Sequence, residues 1–182
     1  MNRLFFILGF GVLFCCTKTH YLPQGGVRPK NPNFKLSKNP YVLIDTQLVD
    51  ISAIYLETWN VDTGPKEIYS DPSYVFFRFF ENGRIYHSNV FDHFPTVKEQ
   101  NDFKMGMIGY YKIKDGNKIT TEVFFPINSG QYLMEYGIVK GDSILFHKRK
   151  MDNSWYSSTQ KIDKRLYRVQ DERVHLYAQP NW

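Results

Sequence analysis

From residue 41 onward, polar and apolar positions alternate in short runs of period two, broken by turn residues, and no stretch sustains the 3.6-residue period of an amphipathic helix. The pattern predicts antiparallel strands joined by tight turns, and three hairpins can be placed from their loops. In the first, Tyr74 to Glu81 leads through Asn82-Gly83 into Arg84 to Ser88. Asn-Gly is the strongest two-residue hairpin signal, because both residues tolerate positive φ. Such a loop sets Glu81 opposite Arg84, Phe79 opposite Tyr86 and Arg78 opposite His87. One face then collects Val75, Phe77, Phe79, Tyr86 and Val90, and the other Phe76, Arg78, Phe80, Ile85 and His87. The first face is apolar at its centre and is expected to point inward, which turns Arg78 and His87 outward.

In the second hairpin, 109–114 runs through Asp115-Gly116-Asn117 into 118–125. A three-residue loop pairs Ile113 with Ile119, Tyr111 with Thr121 and Gly109 with Val123, whereas a two-residue loop would set isoleucines against lysines. In the third, 132–140 turns at Gly141-Asp142 and leaves through 143–148, with Gly141 suited to the first position of a type II′ turn. Val139 then faces Ile144, and Phe146 lies over Gly137. Further strands are predicted at 42–49, 52–58, 166–169 and 173–177. Sequential hairpins without a crossover helix favour neighbour-to-neighbour pairing, and closing the sheet removes its edges. The fold class is therefore all-β: an antiparallel up-and-down β-barrel of about 8–10 strands, with a β-sandwich as the alternative.

The N-terminus is organised differently. Arg3 precedes an apolar run from Leu4 to Phe14 with no charge. At 1.5 Å per residue that run is too short to cross ~30 Å of hydrocarbon, so residues 1–15 read as a secretory signal peptide. The junction Leu13-Phe14-Cys15-Cys16 resembles the lipobox of bacterial lipoprotein signals. The resemblance implies cleavage before Cys16 and diacylglyceryl transfer to it, which would anchor the chain to a membrane. The other reading is an ordinary signal peptide with two incidental cysteines. Thr17, in place of the Asp that retains such proteins at the inner membrane, suits the outer membrane. Residues 16–40, with Pro23, Pro29, Pro32, Pro40 and Gly25-Gly26, read as the lipidated Cys followed by an extended tether. The β domain spans 41–182.

Composition adds some limits. Aromatics make up 17% of the chain, enough to fill a β core or line a cavity. Cys15 and Cys16 are the sole cysteines, so the β domain has no internal disulfide and no thiolate zinc site. The net charge of +5 comes from scattered Lys and Arg, apart from a short run at His147, Lys148, Arg149 and Lys150, and no nucleic-acid partner is expected.

Candidate chemistry is sparse. His87, Asp92 and His93 have the right side chains for zinc but match no closed-site spacing, so no metal is expected. The nucleophile-elbow, zincin, phosphate-loop and dinucleotide motifs are absent, and neither catalysis nor a cofactor is expected. Phe77, Phe79, Tyr86, Tyr110, Tyr111 and Tyr136 either line a ligand cavity or fill the core. Arg78 and His87, if turned inward, would instead bind a carboxylate or phosphate head group.

The stretch from Phe76 to Lys148, with its runs FFRFFENGR, GYYKIKDGNKITTEVFF and YGIVKGDSILF, resembles the small lipocalin-like (calycin-type) domains of Gram-negative lipoproteins, many of them of unknown function. The Gly-x-Trp motif of lipocalins proper is replaced by Glu57-Thr58-Trp59. The resemblance implies a lipid-anchored protein of the cell envelope, at the outer membrane, that binds a small hydrophobic or amphipathic ligand without catalysis. The alternative is an envelope scaffold that docks a protein partner through its outer surface.

Overall fold

The computed structural model describes residues 19–45, 48–58, 73–127, 130–152 and 157–182. Strands β1 (Thr19–Tyr21) and β2 (Val27–Pro29) form a small antiparallel hairpin. Eight further strands, β3 (Ile54–Thr58), β4 (Ser73–Phe79), β5 (Arg84–Phe91), β6 (Met107–Lys114), β7 (Lys118–Phe125), β8 (Gln131–Lys140), β9 (Ser143–Asp152) and β10 (Ser157–Val169), each pair with the next. β10 returns to pair with β3, so the sheet closes into an eight-stranded antiparallel up-and-down barrel. The sandwich alternative is thereby excluded.

Two hairpin registers are as expected. Ile113 pairs with Ile119, Tyr111 with Thr121 and Gly109 with Val123. Val139 pairs with Ile144 and Gly137 with Phe146, and Gly141 has φ +55. The first hairpin differs by one residue. Phe79 pairs with Ile85, Arg78 with Tyr86 and Phe77 with His87. Phe80 and Arg84 close a three-residue loop in which Gly83, at φ +74, accommodates a left-handed step that most other residues resist. A one-residue slip exchanges faces on one strand relative to the other. Phe77, Phe79, Ile85 and His87 therefore share the inner wall, while Arg78, Phe80 and Tyr86 lie on the outer wall.

Two expected strands are absent among the described residues. Of the stretch 42–49, the described residues 42–45 and 48–49 form a plug instead. Leu43 and Val49, with Ala53, are buried in the end of the barrel, and the Leu43 N–H donates to Glu81 O at 2.8 Å. The stretch 173–177 is an extended strap across the outer wall. Its backbone is held by carboxamides of the short helix α1 (Val97–Asn101) rather than by a ladder.

A second departure concerns 19–40, expected as a tether. This stretch is folded onto the outer wall. Arg28 donates to Gly106 O at 2.7 Å and to Phe103 O, and Phe34 is buried edge-on between Tyr110 and Tyr132, 5.0 Å from each. The cause lies in the sheet. The outer faces of β4–β7 carry Phe76, Phe80, Tyr86, Ile108 and Phe124, which together form a second apolar core. Left bare, such a surface would cost roughly 25 cal/mol per Å² of exposed apolar area. Val27, Phe34, Val174, Leu176 and Trp182, from the two ends of the chain, cover it. Cys16, the expected signal peptide and Trp59 lie outside the described residues.

Candidate functional site

The inner wall is divided by height. At the end bearing the 81–83, 115–117 and 141–142 turns, Ile113, Ile119, Val139, Ile144 and Leu166 are buried with the plug residues. Above them, Tyr55, Phe79 and Tyr111 pack edge to face, with ring centroids 5.1 Å and 5.0 Å apart across Phe79. The buried tyrosine hydroxyls are satisfied. Tyr111 donates to Phe80 O at 2.9 Å, and Tyr55 accepts from the Asp50 N–H at 2.9 Å. This half of the barrel is a filled floor.

At mid-height the wall turns ionic. Glu135 on β8 accepts two bonds from Arg149 on β9 at one oxygen, 2.6 and 2.9 Å, and one from Lys164 on β10 at the other, 2.8 Å. Lys164 also pairs with Glu57 on β3 at 3.3 Å. Its ammonium rests 4.5 Å from the centroid of the Phe77 ring and 5.5 Å from that of Phe146, close enough for attraction to both rings. Phe77 in turn stacks on His87, with centroids 4.2 Å apart. Side-chain exposure is graded through this cluster: 4% for Glu135, 7% for Lys164, 12% for Glu57 and 30% for Arg149. The charge that most faces solvent-accessible space is thus Arg149.

Electrostatics follow from that placement. Burial pushes the Glu135 carboxyl up, but Lys164 and Arg149 more than offset it and hold the group below the usual carboxylate range. Burial, reinforced by the positive charges of Lys164 and Arg149, holds the His87 imidazole well below its ordinary value, so it is neutral at neutral pH. His87 lies on the inner wall opposite Phe77 and is half-buried.

Beyond the cluster, toward the end opposite the floor, the inward positions Val75, Met107, Leu133, Met151 and Ser158 are half-buried rather than buried. Strand pairing fixes their direction. Leu133 pairs with Val123 of the inner core, Met151 with Leu133, and Ser158 with Met151. The inner wall beyond the floor is thus apolar and half-buried, over a base that carries a balanced set of two acids and two bases.

The eight residues singled out from sequence divide accordingly. Phe77, Phe79 and Tyr111 are inside, but they are buried in the floor or just below the half-buried wall. Tyr86, Tyr110 and Tyr136 are on the outer wall, covered by Phe103 and Trp182, by Phe34, and by the Lys148 ammonium respectively. Arg78 and His87, expected side by side and outward, are separated. His87 faces inward, whereas Arg78 is 2% exposed beneath the strap and donates to Gln100 O, Asn101 Oδ1 and Ala178 O. Burial lowers the Arg78 guanidinium to about 10, where it remains charged at neutral pH. His93 pairs with Glu99 at 3.0 Å outside the barrel, away from His87, and no group of three metal-ligating side chains converges among the described residues.

Glu57, Glu135, Arg149 and Lys164 are missing from that set. A signal for Glu135 was present in the sequence: it lies two positions before Gly137 on the face that Val139 and Phe146 define as inward. No protein-family model matches the chain, and no curated protein or solved structure matches it either.

Proposed function

We propose that this chain is a lipid-anchored lipoprotein of the cell envelope that holds a small hydrophobic or amphipathic ligand in the open half of its barrel, without catalysis. The observation that carries the reading is the cup: inward Val75, Met107, Leu133 and Met151 stay half-buried above a buried ionic base. Apolar side chains around a few convergent polar groups, on a rigid closed sheet, are the makings of a small-molecule site. In this account the aromatics Phe77, Phe79 and Tyr111 form the floor under the ligand and set the depth of the cup. The anchor is Cys16, and the outer membrane is the proposed location.

The binding half of the proposal is tested by titrating the purified protein with the neutral fluorophore N-phenyl-1-naphthylamine, comparing wild type with Leu133→Trp. Leu133 is half-buried on the inner wall, so an indole there extends into the cup rather than into the packed floor. Fluorescence enhancement that saturates in the wild type and is lost in the variant supports the cup. Equal enhancement in both sends the ligand elsewhere. The anchor is tested separately by mass analysis of the N-terminal peptide from cell envelopes. Diacylglyceryl mass on Cys16 supports it, and an unmodified cysteine refutes it.

A further inference from the structure

The cup is not electrically symmetric. Its four charges balance in number, yet the two acids are nearly enclosed, at 4% and 12% exposure, while Arg149 keeps 30% of its side chain accessible. Both of its bonds to Glu135 go to a single carboxylate oxygen, so the guanidinium is engaged along one edge. Around it, the β9–β10 ladder places two neutral hydrogen-bonding groups on the same wall. Gln160 pairs with Arg149 and is exposed. Ser158 pairs with Met151, one inward position further from the floor. Its hydroxyl is buried and has no hydrogen-bond partner among the described residues, which is unusual for a group that costs free energy to leave unsatisfied. Across the cup, His87 has no hydrogen-bonding side chain among the described residues, and the charges that act on it are the cations Lys164 and Arg149.

We infer that the occupant of the cup carries an anionic head group, a carboxylate or phosphate, received by Arg149, Ser158 and Gln160 of the β9–β10 wall, with its apolar tail among Leu133, Met151, Val75 and Met107. This rests on the cup being a ligand site. The chemistry is direct. An anion accepts from the accessible edge of a guanidinium already oriented by Glu135, and the stranded Ser158 hydroxyl gains an acceptor. A cationic head group would meet Arg149 before either acid. A neutral alcohol would leave Arg149 without the charge-assisted bond.

The test is calorimetric titration of the purified protein with one alkyl chain bearing different heads: decanoate, decyl phosphate, decanol and decyltrimethylammonium, each below its micelle concentration. Decanoate or decyl phosphate is expected to bind about tenfold or more tightly than decanol, with the cation weakest. Which anion wins separates a fatty-acid-type carboxylate from a phosphate-bearing lipid. Arg149→Met should bring the anions down toward decanol, and Ser158→Ala should weaken the anions while keeping the preference that Arg149 supplies. If Arg149→Met fails to fold, the order of the four heads on the wild type decides the matter. Equal binding of all heads, a preference for the cation, or an anion preference that survives in a folded Arg149→Met overturns the head-group assignment and leaves the cup standing. If none of the four probes binds, the cup reading fails and takes this inference with it.

Discussion

Replacing Glu135 with Gln perturbs the base of the cup at its most buried member. The neutral amide keeps the shape but loses the charge that faces two cations, Arg149 at 2.6 Å and Lys164 at 2.8 Å. Removing one partner of a buried ion pair costs about 3–5 kcal/mol, because the remaining charge is left uncompensated. Here the low end applies, for three reasons. Arg149 reaches solvent, Lys164 retains Glu57 at 3.3 Å, and the Phe77 ring remains beneath the ammonium. A loss of about 3 kcal/mol corresponds to a Tm lowered by roughly 6–12 °C for a chain of this size. In a cycle with Lys164→Met, the double variant should recover roughly 1–3 kcal/mol relative to the sum of the singles, since the ammonium that the substituted amide would strand is also gone.

The pH dependence carries a sign. A carboxyl whose folded pKa lies below its unfolded value of about 4.3 adds stability above that value and loses it as pH falls through the folded pKa. The gap between wild type and Glu135→Gln should therefore be full at neutral pH and narrow in acid. Urea denaturation of the four proteins at pH 7, and of the first two down to pH 3, reads all of this. A cost under about 1 kcal/mol with additive singles would refute the buried cluster.

Three further outcomes follow from the outer wall. Asn101→Ala removes bonds to Val97 O, His175 O, Arg78, and the Tyr177 and Ala178 N–H groups, each neutral bond contributing about 0.5–1.5 kcal/mol and the one to the buried Arg78 cation more. Amide exchange should accelerate in 175–178 while the barrel strands stay protected, and exchange that rises equally in β4–β9 would contradict a separate strap. Burial holds the Glu122 carboxyl above its ordinary range, against the Leu36 and Lys35 N–H groups that lower it, and its Oε1 has no partner. A group raised in the folded state opposes folding above that pKa, so Glu122→Gln should raise Tm at pH 7 and gain nothing at pH 3. Phe34→Ala leaves a cavity between Tyr110 and Tyr132 and should cost about 3–5 kcal/mol by urea denaturation. A loss below about 1 kcal/mol would return 19–40 to the role of a tether.

What could be read from the sequence depended on whether a wrong register carried a visible penalty. In the hairpin at 115–117 a slip would set isoleucines against lysines, and at 141–142 Gly137 and Phe146 complement each other in size, so both registers were fixed. At 82–83 the flanking runs are apolar on both faces, because the outer wall is covered by the chain's own ends. The slip met no penalty, and Asn82-Gly83 read as a two-residue loop. That one error put Tyr86 inside and His87 outside. The ionic base was hidden for another reason. Glu57, Glu135, Arg149 and Lys164 come from four strands, and their convergence depends on closure between β10 and β3 and on the bulge between Lys161 and Lys164. Neither has a local signature. The strap and plug carry the pattern of strands because an extended apolar segment lying on a barrel has the same alternation as one inside it.

The central claim is that the open half of the barrel holds a small molecule in the cell. Native mass spectrometry of the protein recovered from its own envelope tests it most directly, run beside Leu133→Trp prepared in the same way. A discrete excess mass is expected in the wild type, lost on denaturation and absent from the folded variant. A wild-type mass equal to the processed chain alone, or the same excess mass in Leu133→Trp, would contradict it.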